Sequence, residues 1–167
     1  MTASTLLPYR ENVAEQTLAP ILARVHDRWM AEADGALDPV TDPQATFFQR
    51  WTAVRYLWDQ FAERFMLEQE LIQELHAFIP LEIRERLAMQ MDRVNRLHQD
   101  LDRLAHQRGV ARELARTTRA LLEALRLWYA EIEFAAGGIR QEDTSPDVHR
   151  LLESLNGQSW FKACCIH

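Results

Sequence analysis

Residues 47–75 read FFQRWTAVRYLWDQFAERFMLEQELIQEL, and the large apolar side chains fall at alternating steps of four and three. Phe47, Trp51, Val54, Trp58, Phe61 and Phe65 make the series, and Ile72 and Leu75 continue it. Residues spaced this way share one side of an α-helix, so the stretch predicts a long helix packed nearly parallel to its neighbours. It should end near Phe78, ahead of Pro80. Trp51, Trp58 and Phe61 should be buried, together with Leu101 and Leu125 from later in the chain. One member of the stripe is out of character. Glu68 lies between Phe65 and Ile72, and a carboxylate there is costly unless it is paired. Counting from the loops places it level with Gln90 and Arg126, with no histidine at that height, which predicts a buried contact that fixes helix register rather than a metal ligand.

Similar patterns lie on either side. Residues 11–33 carry Val13, Leu18, Ile21, Leu22, Val25 and Trp29 on one face, with Pro20 inside to kink or restart the helix. The run GALDPVTDP then breaks it. A third helix is expected over 80–109, striped by Ile83, Leu87, Val94, Leu97, Leu101 and Leu104. A fourth covers 110–136 through Leu114, Leu121, Leu125, Trp128 and Ile132, and stops at Gly137-Gly138. A short fifth begins at Ser145-Pro146 and ends at Asn156-Gly157. Short connections between long helices imply antiparallel neighbours. The expected fold is therefore all-α: an antiparallel up-down-up-down four-helix bundle over 1–157 with a short fifth helix, followed by a flexible tail, 158–167.

Composition narrows the function. The chain has 167 residues, enough for one domain with a sizeable core, and only five glycines and six prolines. A net charge of −6 argues against nucleic acid as the default partner. The charge is uneven: residues 84–126 hold ten arginines against six acids, and residues 1–83 hold six against thirteen. Attraction between acidic and basic helices is the simplest use of that asymmetry. No apolar run is long enough to span a membrane, and the start MTASTLLPYRENVAEQ is not patterned as a secretory signal. Two adjacent cysteines make no disulfide framework, which points to a reducing, cytoplasmic setting.

Helical bundles often hold metal or haem. Di-iron bundles need Glu-x-x-His pairs, and none occurs. In the long helices the nearest histidine ladder is His98-x-x-x-Asp102-x-x-x-His106, whose later members rotate away from the apolar stripe. His26 and His98 should lie at similar heights, with Trp51, and would be the ligands if the core held haem or a metal. A half-buried, hydrogen-bonded histidine is the commoner role for each. No nucleophile elbow and no catalytic dyad appears, so an enzyme is not expected.

The remaining chemistry is in the last residues, SWFKACCIH. They contain both cysteines, Cys164 and Cys165, together with the only lysine, Lys162, and close on His167. Thiolate and imidazole suit Cu(I) or Zn. Cys-Cys-Ile-His also has the outline of a prenylation box with Cys164 as acceptor, though no polybasic stretch precedes it. In layout the chain resembles precursors of ribosomally synthesised, post-translationally modified peptides: a helical leader, a break at Asn156-Gly157, then a short end rich in cysteine and aromatics. That resemblance implies a modifying enzyme as partner, with Cys164 and Cys165 as substrate positions and Trp160, Phe161 and Lys162 as recognition residues. The plain alternatives are that Trp160, Phe161 and Ile166 cover an apolar gap in the bundle, or that a helix face binds another protein or a second copy as a homodimer. No resident cofactor is expected, apart from Cu or Zn at the tail.

Overall fold

The computed structural model describes residues 17–157. All the named elements among them are helical, and the one β-type contact is an isolated antiparallel bridge between Thr17 and Arg140. Six α-helices lie among the described residues: α1 (Ala19–Ala36), α2 (Asp38–Thr41), α3 (Phe47–Leu75), α4 (Leu81–Ala105), α5 (Ala111–Ala136) and α6 (Pro146–Gly157). Short 3-10 turns, His76–Phe78 and Gln141–Asp143, precede α4 and α6. No helix among the described residues is long and apolar enough to cross a membrane.

Local chemistry sets most of these boundaries. Pro20 falls in the first turn of α1, where its missing N–H costs nothing, so it starts the helix rather than kinking it. Residues 11–16 of the expected first helix lie outside the described residues. The break at 35–43 is shorter than its composition suggests, because Pro39 opens the one-turn helix α2 and buries Val40. Thr46 caps α3: its hydroxyl accepts from Gln49 N at 3.1 Å, and Gln49 Oε1 accepts from Thr46 N at 2.8 Å. Gly109, at φ +79°, turns the chain between α4 and α5 in a conformation that favours glycine.

The two halves of the α4–α5 hairpin pack along their length. The α1 helix lies chiefly on α5, and α2 touches both α3 and α5. The short α6 packs on α3 and also on α1, while α1 and α3 touch one another little. The fifth helix of the sequence reading is therefore part of the body, not an appendage. Its C-terminal carbonyls are taken by arginines: Arg28 Nη1 donates to Asn156 O at 3.2 Å and Arg64 Nη1 to Leu155 O at 3.4 Å.

The core confirms the period of the opening stretch and corrects its phase. Val54, Leu57, Phe61, Arg64, Glu68, Leu71 and Leu75 are buried, which is again a four–three series. Val54, Phe61, Glu68 and Leu75 were on the expected stripe. Trp51 and Trp58 are only half-buried, and Phe47 is 41% exposed. The helix is rotated so that Leu57, Arg64 and Leu71 face inward and the wide aromatics flank them. Leu101 and Leu125 are buried as expected, and so are all five stripe residues of α5.

Candidate functional site

An arginine in the core stripe of α3 needs an account. Arg64 is 1% exposed, and its guanidinium carbon lies 4.3 Å from the centre of the Trp29 ring. The ring face supplies a favourable electrostatic contact for a cation removed from water. One turn further along α3, Glu68 places Oε1 3.3 Å from Arg64 Nε. That is an ion pair, although its angle is not that of a hydrogen bond, since neither atom has a hydrogen-bond partner.

The other Glu68 oxygen, Oε2, faces His26 Nε2 of α1 at 3.4 Å. His26 Nδ1 is 2.9 Å from Glu133 Oε1 of α5. The imidazole also stacks on the Tyr129 ring, with centres 4.0 Å apart and planes at 10°. A neutral imidazole has one N–H, and here both ring nitrogens face carboxylates, so the arrangement calls for the doubly protonated cation. Burial alone would push the His26 pKa down. The Glu68 charge and the hydrogen bonds that the ring donates to both carboxylates outweigh it and hold the pKa above its ordinary value. Burial likewise pushes Glu68 up, but His26 and Arg64 prevail and hold the carboxyl below the usual range. Tyr129 titrates above the ordinary phenol range, through burial first and the Glu68 charge second.

Two cations and two anions thus neutralise one another where α1, α3, α5 and α6 meet. Glu133 is the exposed end of the set, with 27% of its side chain accessible. It lines a cleft of 450 Å³ between α1 and α5 with His26, Asp27, Asp34 and Arg126. His26 leaves neither ring nitrogen free toward that cleft, so the imidazole holds helices together and is not available to a ligand as a proton acceptor.

Two expectations about Glu68 are overturned. Its partners are neither Gln90 nor Arg126. Gln90 Oε1 is buried without a hydrogen-bond partner, and Arg126 Nη2 reaches Asp34 at 2.9 and 3.1 Å on the surface. A histidine does stand at Glu68's height.

His98 occupies a separate site. It is 5% exposed and stacked on Trp58, with ring centres 4.2 Å apart and planes at 7°. The Phe61 ring centre is 4.4 Å away on a tilted plane. Burial lowers its pKa to about 4, against a smaller upward pull from Asp102, and its Nε2 is buried without a hydrogen-bond partner. His106 is exposed and bonds the Asp102 carbonyl at 2.7 Å rather than its carboxylate. His26 and His98 are not brought together: one stacks on Tyr129, the other on Trp58. Among the described residues no group of three or more His, Cys, Asp or Glu could hold a metal ion. Trp160, Phe161, Lys162, Cys164, Cys165 and His167 lie outside the described residues.

The arginines of 84–126 answer the charge question differently from the expectation. Arg126 pairs with Asp34 of α1, and Arg86 with Glu131 of α5. Arg93, Arg96, Arg108, Arg112, Arg116 and Arg119 have no carboxylate partner among the described residues. Most of the basic excess is therefore not spent on the acidic helices.

No family model matches the chain, and no curated protein and no solved structure shows significant similarity to it.

Proposed function

We propose that the chain is a non-catalytic helical scaffold, an antiparallel four-helix bundle with α6 packed on it, that presents Cys164, Cys165 and His167 to a partner enzyme for modification, or to Cu or Zn, in a reducing cytoplasm. Trp160, Phe161 and Lys162 are the residues through which a partner recognises the segment. One observation carries this reading: His26, the best-placed acid–base group of the body, has both ring nitrogens committed to carboxylates. That group is thus committed to holding helices, and the only thiols of the sequence, Cys164 and Cys165, occur in the segment that follows. The test is truncation. Removing residues 158–167 should leave helicity and melting unchanged and abolish thiol-dependent metal uptake or modification. A loss of several degrees would make Trp160 and Phe161 core residues.

A second reading, a protein-interaction adaptor, is favoured by a 540 Å³ groove lined by Met66, Ile72, Met91 and Leu151 together with Glu70 and Glu74. Met66 is 62% exposed there. Flexible thioethers fit varied apolar shapes, and the acids suit an amphipathic helix with basic residues. Haem or a metal between His26 and His98 has less support, because it would have to break two separate ring stacks.

A further inference from the structure

The turn between α4 and α5 meets the first turn of α3 around a cleft of 350 Å³. Phe47, Arg50, Gln107, Arg108, Gly109 and Ala111 are among the residues that line it, and no acidic residue is. Arg50 is held in place: its Nη2 donates to the carbonyls of Asp42 and Pro43, both at 3.3 Å. Its Nε is buried and meets no acceptor. The Arg108 guanidinium carbon lies 5.4 Å from the centre of the Phe47 ring, and the group has no carboxylate partner among the described residues. Two guanidinium groups therefore share an acid-free cleft with an aromatic face, which by itself is a setting for an oxyanion.

The start of α5 adds to it. Val110 stands at the cap position and its side chain accepts nothing, so the first-turn N–H groups have no side-chain partner. Glu113, the acid of that turn, is not among the lining residues. A second cleft, of 290 Å³, flanks the same helix start, shares Arg50 and Ala111, and adds Arg112 and Arg119, with Asp42 its acid. The local potential is positive although the whole chain carries −6.

We propose that the cleft between α3 and the α4–α5 turn binds a phosphate group, held by Arg50, Arg108 and the first-turn amides of α5. This goes beyond the scaffold reading and does not depend on it. Residues with donors come to the cleft from three elements, which suits a tetrahedral oxyanion better than a planar carboxylate, whose acceptors lie in one plane. Phe47 supplies an apolar face for whatever carries the phosphate.

The experiment titrates the full chain with inorganic phosphate and, separately, with phenyl phosphate, at fixed ionic strength. Backbone amide shifts by NMR report the position and isothermal calorimetry the affinity. Saturable shifts are expected at Ala111, Arg112 and Glu113. Arg108→Gln, an exposed change that should leave the fold intact, should weaken binding by about tenfold, the loss of one charge-assisted contact. Arg50→Gln should do the same, while Arg93→Gln, on α4 and away from the cleft, should change it less than about twofold. Tighter binding of phenyl phosphate would assign an ester as the ligand, and equal binding would assign free phosphate; both uphold the site. Absence of saturable shifts at these amides up to about 10 mM, beyond the weak end for such a site, would overturn it. So would an Arg93→Gln effect as large as that of Arg108→Gln, because binding would then be general screening.

Discussion

Replacing Glu68 by Gln tests whether the buried cluster is a true charge balance. The change keeps shape and removes one negative charge from a residue that is 0% exposed, between Arg64 Nε at 3.3 Å and His26 Nε2 at 3.4 Å. At an effective dielectric of about 20, each such contact is roughly 5 kcal/mol of attraction, offset by the cost of desolvating the ions. The two cations respond differently. His26 can release its proton and keep a hydrogen bond to Glu133, which limits its loss. Arg64 cannot be deprotonated and is left buried with an aromatic ring and one carbonyl. Removing one partner of a buried pair typically costs about 3–5 kcal/mol. For a chain of this size that lowers the melting temperature by roughly 10 °C. The companion variant, Arg64→Met with Glu68→Leu, replaces the pair by apolar groups of similar volume. It should return to within about 1 kcal/mol of the parent, as apolar replacements of buried pairs commonly do. Urea unfolding at neutral pH on the parent, Arg64→Met, Glu68→Leu and the double variant closes the cycle. A Glu68→Gln cost below about 1 kcal/mol, or additive single effects, would show that Arg64 and Glu68 are not coupled.

Stability should depend on pH with two opposite limbs, set by two histidines. His98 has its folded pKa lowered to about 4, so its contribution is full above the ordinary value of 6.5 and is lost as pH falls toward 4. His26 has its folded pKa raised, so its contribution is full below 6.5 and is lost as pH climbs through the raised value. Denaturation midpoints should therefore peak near neutrality; His98→Phe should flatten the acid limb and leave the alkaline one, and a single monotonic trend would contradict the assignment. Phe61→Ala should cost about 3–5 kcal/mol by urea unfolding, because Phe61 is 3% exposed and packs on Phe65 and His98. The half-buried Trp51 should cost clearly less on the same change, and equal losses would return it to the core stripe. Arg126→Gln removes a pair whose side chains are 53% and 48% exposed, so its effect should stay below about 1 kcal/mol.

Helix existence was legible because each long element repeats a four–three pattern, and its ends carry proline, glycine or a capping pair. The phase of α3 was not legible, for a physical reason. Reading apolar residues as inward selects Trp51, Trp58 and Phe65, yet wide rings also serve at the margin of a core, where one edge packs and the other meets water. Arg64 was passed over because a charged residue is assumed to face solvent. A usable signal was present, since Arg64 and Glu68 are spaced one turn apart inside an apolar stripe, and such a pair can neutralise itself while buried. His26 could not be matched to Glu68 by counting, because that needs to be known: which helices touch. In the structure α1 lies chiefly on α5 and touches α3 little, so the His26–Glu68 contact is made where the two helices meet only narrowly. The cleft at Arg50 and Arg108 was equally hidden, since it joins residues from two turns far apart in sequence.

The scaffold reading is tested most directly by the native mass of the full chain recovered from its own cells under non-denaturing conditions. One spectrum registers both a covalent change and a bound metal. The account predicts a mass above that of the sequence, with the increment traced to residues 158–167 and absent when Cys164 and Cys165 are both changed to Ser. A mass equal to that of the bare sequence, or an increment traced to residues 17–157 and untouched by the two serine changes, would contradict it.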